Sequence, residues 1–135
     1  MAKIIGHGTT ISGSTAGTIG DLVDISRGFG ASCDVDDGTT FESTNLWKEK
    51  IFGLKDPGQL TFTVEYDGAS GGEADVIHTN LGVSQDWTVT PKGDSYGVWV
   101  CEGAIIDYST PIPLGTRVTQ DVTIEFSGEP SFTPA

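Results

Sequence analysis

Positive charge is scarce in this chain of 135 residues. Seven Lys and Arg stand against nineteen Asp and Glu, giving a formal net charge of −12. Hold on nucleic acid depends on cations that neutralise phosphates, so a conventional DNA- or RNA-binding module is excluded. Histidine occurs only as His7 and His78. A catalytic centre needs a nucleophile, a base and a group that orients the base, and a zinc site needs three or four clustered ligands. Neither an enzyme nor a bound metal or cofactor is expected. Cysteine is limited to Cys33 and Cys101, too few for a disulfide scaffold. Residues 1–20 lack the charged-then-apolar order of a secretory leader, so synthesis in a cytoplasm with free thiols is expected. No apolar stretch approaches the roughly 20 residues that span a bilayer as a helix.

Segments that imitate binding motifs fail on spacing. In Asp34-Val35-Asp36-Asp37-Gly38 the glycine stands fifth, whereas a calcium loop has it sixth and a Glu twelfth; Asn45 occupies the twelfth place here. A solvated acidic turn is the expectation. The Gly-rich stretch 13–20 lacks the Gly-Lys-Ser/Thr ending of a phosphate-binding loop. Paired carboxylates could do glycosidase chemistry at the right separation, but acids are spread along most of this chain and solvation accounts for them.

What the chain does contain is Gly, 19 residues, with a hydrophobic fraction of 36%. That mix suits short strands and many turns within one domain, which at this length buries roughly two-thirds of its unfolded surface. Residues 59–67 alternate, with Leu60, Phe62, Val64 and Tyr66 predicted on a buried face and Thr61, Thr63 and Glu65 between them. Asp56-Pro57-Gly58 and Asp67-Gly68 supply turn chemistry at its ends. Strands are also predicted over 19–26, 87–90, 96–108 with a break at Gly103, and 117–126. In the last, Val118, Val122, Ile124 and Phe126 alternate with Thr119, Asp121, Thr123 and Glu125. Ala74, Ile77 and Leu81 recur at helical spacing and predict a short helix over 73–81; Lys92-Gly93-Asp94-Ser95 reads as a hairpin turn. Residues 1–18 show neither period and are expected to form a flexible arm. The expected fold is mainly β: a two-sheet sandwich or flattened barrel over 19–130 with one short flanking helix, followed by a tail at 131–135.

One segment breaks the usual rule that loops are polar. Residues 32–58 read as a long loop, yet they carry Phe41, Leu46, Trp47, Ile51, Phe52 and Leu54. Such a loop either folds back as a lid on its own core or covers a partner.

The run Val35-Asp36-Asp37-Gly38-Thr39-Thr40-Phe41-Glu42-Ser43-Thr44, followed by Gly53-Leu54-Lys55-Asp56 and Thr61-Phe62-Thr63-Val64, resembles the major tail tube proteins of long-tailed, siphovirus-like bacteriophages. Trp87-Thr88-Val89-Thr90 and the closing strand with Ser127-Gly128 and Pro130 follow the same order, and the resemblance spans about 19–130. It implies a β-sandwich virion subunit, six of which form a ring with a continuous inner barrel, the rings stacking into a hollow tail tube. The implied partners are copies of the chain itself, tape-measure, terminator and baseplate or tail-tip proteins, and genomic DNA passing without specific binding. It implies contacts between subunits and rings through the 32–58 loop, with Thr40, Phe41, Trp47, Ile51, Phe52 and Leu54 as the self-assembly residues. The acid excess then has a use: Glu65, Asp121 and Glu125 are candidates to face the lumen, where like charge lets DNA slide. They could equally be ordinary solvated positions. Two alternatives stand beside this: the inner tube of a contractile system, and a small ligand-binding β-sandwich presenting an aromatic such as Trp87 or Trp99.

Overall fold

The computed structural model describes residues 8–20, 22–39, 47–91 and 97–134. Among the described residues nine strands and one helix follow in the order β1 Thr10–Gly13, β2 Gly17–Ile19, β3 Leu22–Arg27, β4 Ser32–Asp37, β5 Lys50–Asp56, β6 Gln59–Glu65, α1 Glu73–Thr79, β7 Gln85–Thr90, β8 Val98–Ser109 and β9 Thr119–Thr133. Seven strands form one sheet in the order β2-β1-β7-β8-β9-β6-β3, and β4 and β5 form a separate two-stranded sheet. Every strand pair is antiparallel.

Chain connectivity makes the large sheet curl. β2 and β3 lie at opposite edges of seven strands, yet only Gly20 and Asp21 stand between them in sequence. Three peptide steps reach at most about 11 Å. The two edges must therefore approach each other, and the expected flattened barrel is realised as one curled sheet wrapped around its own core. The core consists of Leu60, Phe62 and Val64 of β6, Trp87 and Val89 of β7, Cys101 and Ile105 of β8, and Val122, Ile124 and Phe126 of β9. Ile11, Ile19 and Ile77 complete it, the last from α1.

Period-2 alternation places these side chains. Leu60, Phe62 and Val64 are fully buried, with half-buried polar neighbours between them. Tyr66, predicted on the same face, is 49% exposed, because β6 stops pairing with β9 at Glu65 and no sheet continues beneath it. The helix forms where predicted but ends at Thr79. Asn80 turns the chain, its Nδ2 donating to the Val76 carbonyl (2.8 Å), so Leu81 leaves the helical face and is exposed. The strand predicted over 96–108 is long and irregular: β8 runs for 12 residues through Gly103 without ending there, and its register against β9 shifts on either side, between Val100 and Glu102 and between Ile105 and Asp107. The glycine is needed for close approach, since a Cβ there would lie 2.5 Å from the Glu125 carbonyl oxygen. On the other side of β8, Trp87 Nε1 of β7 donates to the Gly103 carbonyl (3.2 Å). Gly58, at φ 78°, makes the predicted turn into β6, its N–H donating to Asp56 Oδ1 (2.9 Å). The 92–95 turn lies outside the described residues.

The flexible-arm expectation fails over residues 10–18. β1 pairs with β7 and β2 with β1, which buries Ile11 completely and Ile19 almost so; residues 1–7 lie outside the described residues. A buried amide secures the β1–β2 turn. Gln85 Oε1 accepts from the backbone N–H groups of Thr15 (3.0 Å) and Ala16 (2.8 Å), and Gln85 Nε2 donates to Asn80 Oδ1 (3.3 Å). One side chain thus ties the first hairpin to the end of the helix. At the other terminus β9 continues to Thr133, where Val98 is its register partner, so most of the expected tail is strand.

Two outcomes follow from this packing. Gln85→Ala strands buried polar groups and is expected to lower stability by about 1–3 kcal/mol, measured by urea unfolding; an unchanged midpoint would contradict the tie. Both thiols are free, Cys33 exposed and Cys101 buried. Burial pushes the Cys101 thiol up, and the neighbouring Glu102 acts in the same direction, so the unreactive thiol form persists there at mildly alkaline pH. Iodoacetamide at pH 8 should label Cys33 in the folded monomer and Cys101 only after denaturation, read by mass spectrometry.

Candidate assembly surfaces

Three surfaces stand out from the fold: an exposed hairpin, an acidic sheet face and an apolar loop. β4 and β5 make the hairpin, registered by Val35 opposite Phe52, Asp36 opposite Ile51 and Asp37 opposite Lys50. All residues of both strands are exposed. Trp47 is 75% exposed, Ile51 57%, Phe52 72% and Leu54 82%, with Val35 beside them at 56%. The lid alternative is thereby corrected for the described residues: Trp47, Ile51, Phe52 and Leu54 are all more than half exposed and none joins the core. The predicted long loop is itself a β-hairpin, and the acidic turn at 34–38 is mostly strand. Thr40 and Phe41 lie outside the described residues.

Polar contacts hold the hairpin in shape. Asp37 Oδ1 accepts from the Thr39 N–H (2.9 Å), and the Glu49 N–H donates to Thr39 Oγ1 (2.9 Å). Hydrogen bonding to Thr39, from its side chain and then its backbone, lowers the Asp37 pKa below the usual carboxylate value. An open groove of about 400 Å³ lies at the root, lined by Ala31, Lys55, Asp56, Pro57, Gly128, Glu129 and Pro130. Phe29, between β3 and the hairpin, stacks on Phe126 with centroids 4.6 Å apart and on Trp99 at 6.0 Å. The hairpin is thus anchored at its base and uncovered along its length.

The second surface is the outward face of the curled sheet. Register places Glu65, Asp121 and Glu125 together on it: Glu65 opposite Thr119, Asp121 opposite Thr63, Glu125 opposite Gln59 and Ala104. Each is held. Arg117 Nη1 donates to Glu65 Oε1 (2.9 Å), Thr63 Oγ1 to Asp121 Oδ1 (2.8 Å), and Gln59 Nε2 to Glu125 Oε2 (2.6 Å). The same registers add Asp24, Asp86, Glu102 and Asp107 to this face, which the sequence reading missed. Asp86 could have been found from alternation in β7. Asp24 could not, because β3 carries two register shifts. Asp86 and Glu102 are direct cross-strand neighbours, and like charges so placed oppose sheet stability; Ser84 Oγ donates to Glu102 Oε1 (2.9 Å).

The third surface is the segment between β8 and β9, where Ile112 is 78% exposed and Leu114 wholly so. It too went unread, although apolar residues set between Pro111 and Pro113 signal a side chain that cannot join a strand.

Chemistry of other kinds finds little support. Trp87 is fully buried, which removes it as a ligand platform, and Trp99 is half-buried against Phe132 with centroids 4.4 Å apart. His78 lies exposed on α1, its Nδ1 2.6 Å from the Tyr108 hydroxyl. Among the described residues no cluster of three His, Cys, Asp or Glu could hold a metal ion, and no helix is long and apolar enough to cross a membrane.

No family model matches the chain, and no curated protein matches it in sequence. Solved structures do share its fold. A chain of the virion of a native gene transfer agent particle aligns over 97% of this chain and 99% of its own, at 17% identity and a TM-score of 0.75. A chain of the extended sheath-tube complex of PVC, an extracellular contractile injection system, aligns over 98% and 93% at 12% identity and a TM-score of 0.73. One from the six-fold symmetrised baseplate of the anti-feeding prophage aligns over 99% and 97% at 9% identity and a TM-score of 0.75. The chain therefore has, over nearly its whole length, the fold of proteins found in virion, tube and baseplate assemblies.

Proposed function

We propose that this protein is a structural, non-catalytic tube subunit of a phage-like particle. Copies join side by side into six-membered rings, and the rings stack into a hollow tube within the virion tail through which genomic DNA passes. The observation that carries this reading is the β4–β5 hairpin. A monomeric soluble protein has little use for four large apolar side chains held more than half exposed on and beside one two-stranded ribbon, and an assembled one has an obvious use for them. Trp47, Ile51, Phe52 and Leu54, together with Thr40 and Phe41, form the self-assembly element.

The acidic face supports the same reading. Turned toward the lumen, Glu65, Asp121 and Glu125, with Asp86 and Glu102, repel DNA phosphates and leave the polymer free to slide. Tape-measure, terminator and baseplate or tail-tip proteins are the partners a tube requires inside and at its two ends. A second reading, the inner tube of a contractile system, is favoured by the fold shared with the sheath-tube complex of an injection system; a long-tailed phage without a sheath is the first.

Two experiments test the proposal. Purified protein at high concentration should form hollow tubes or six-fold rings in negative-stain micrographs, whereas Phe52→Asp should give none while its monomer keeps its unfolding free energy to within about 0.5 kcal/mol. An unfolded variant would instead mean that Phe52 serves the monomer. Replacing Asp121 and Glu125 by Lys should permit assembly but make the tubes retain DNA in co-sedimentation, an effect that fades as salt is raised. Equal DNA retention by variant and natural tubes would remove the lumen assignment.

A further inference from the structure

The hairpin and the barrel are separate sheets, so the orientation of one on the other is carried by the two chain segments that join them. One leg is 57–58, between β5 and β6, and the other is 28–31, between β3 and β4. The first leg is stiff. Pro57 fixes its own φ, and the Gly58 carbonyl accepts from the Phe126 N–H (3.1 Å). The second leg reads Gly28-Phe29-Gly30-Ala31. Glycine on both sides of Phe29 gives this backbone wide conformational freedom, and a Cβ at Gly30 would meet nothing within 4 Å.

One ring holds this leg. Phe29 packs against the core, its ring stacked on Phe126 (4.6 Å, 21°) and on Trp99 (6.0 Å, 21°), separations at which aromatic pairs attract. Phe126 is therefore the point on which both legs converge: its ring receives Phe29 and its N–H holds Gly58. Arg27 links the legs, its Nε donating to the Gln59 carbonyl (3.1 Å). The open groove beside them is lined by Lys55 and Pro57 on the hairpin side and by Gly128 and Pro130 on β9. The base of the hairpin thus has room to swing, and the seated ring is what denies it that motion.

We propose that Phe29 is the positioning residue of the self-assembly hairpin: seated on Phe126, it sets the angle at which Ile51, Phe52 and Leu54 are presented before any partner is met. A hairpin held in one pose docks without being ordered first, whereas a swinging one must give up that freedom on contact and binds more weakly. The role in assembly rests on the tube reading; the clamp itself does not.

The native thiol of Cys33, exposed on β4, carries the probe. Beyond the wobble of the dye itself, time-resolved anisotropy of a fluorophore on Cys33 should decay at the tumbling rate of the whole monomer in the natural chain. Phe29→Ala and Phe29→Leu should add a faster component, and Phe29→Tyr, which keeps the ring, should restore the slow decay. Unlabelled Phe29→Ala should assemble only at about tenfold higher concentration, and Phe29→Tyr at the natural threshold. Val64→Ala, a core truncation toward the far end of β6, controls for stability: its unfolding midpoint should fall while anisotropy and threshold stay unchanged. Slow decay in every Phe29 variant would overturn the clamp. A faster hairpin with an unchanged threshold would overturn its role in assembly, as would a threshold raised equally by Val64→Ala. Failure of the natural chain to form rings or tubes would withdraw the tube reading and the assembly role with it, while the anisotropy would still decide the clamp.

Discussion

The two-residue link between β2 and β3 is the constraint on which the rest depends. It joins the opposite edges of a seven-stranded sheet, and a chain that short allows only a curled sheet. Curling turns one face of every strand inward, so Trp87, Phe62 and the Ile and Val residues around them meet in a single core that α1 helps close through Ile77. It also turns the other face of every strand outward together. The acids on that face are neighbours because the apolar residues between them are neighbours inside.

The same geometry sets apart what favours assembly from what opposes it. A net charge of −12 repels copies from one another, but charges more than about 8–10 Å apart are largely screened at physiological salt. Burying an exposed Leu, Ile or Phe contributes about 1.5–3 kcal/mol per side chain. In the proposed assembly the hairpin alone offers several such residues, whose burial between copies would outweigh diffuse repulsion. The like-charge pair of Asp86 and Glu102, direct cross-strand neighbours, opposes stability within the sheet.

The sequence made some elements plain and hid others for physical reasons. β6, β7 and the first half of β9 have one wet and one dry face, which writes a period of two that can be read directly; α1 writes its own period through Ala74 and Ile77. β4 and β5 have no dry face: Lys50–Asp56 carries no alternation, and the brief one of Cys33 and Val35 is set among Asp residues that read as a turn. β1 and β2 are too short and glycine-rich to show a period, and their burial is decided by pairing with Thr88 and Val89 far along the chain. Of the candidate site, the apolar character of 47–54 and three acids of the sheet face were legible. Asp24, Glu102 and Asp107 were not, because register shifts in β3 and β8 decouple position in sequence from position on the face.

A cryo-electron microscopy reconstruction of the assembled protein tests the central claim most directly, because it shows which way the curled sheet faces. A hollow tube is expected, with the strand face bearing Glu65, Asp86, Glu102, Asp121 and Glu125 turned to the axis. A tube with that face outward, or protein that stays monomeric at high concentration with its tail partners supplied, would contradict it.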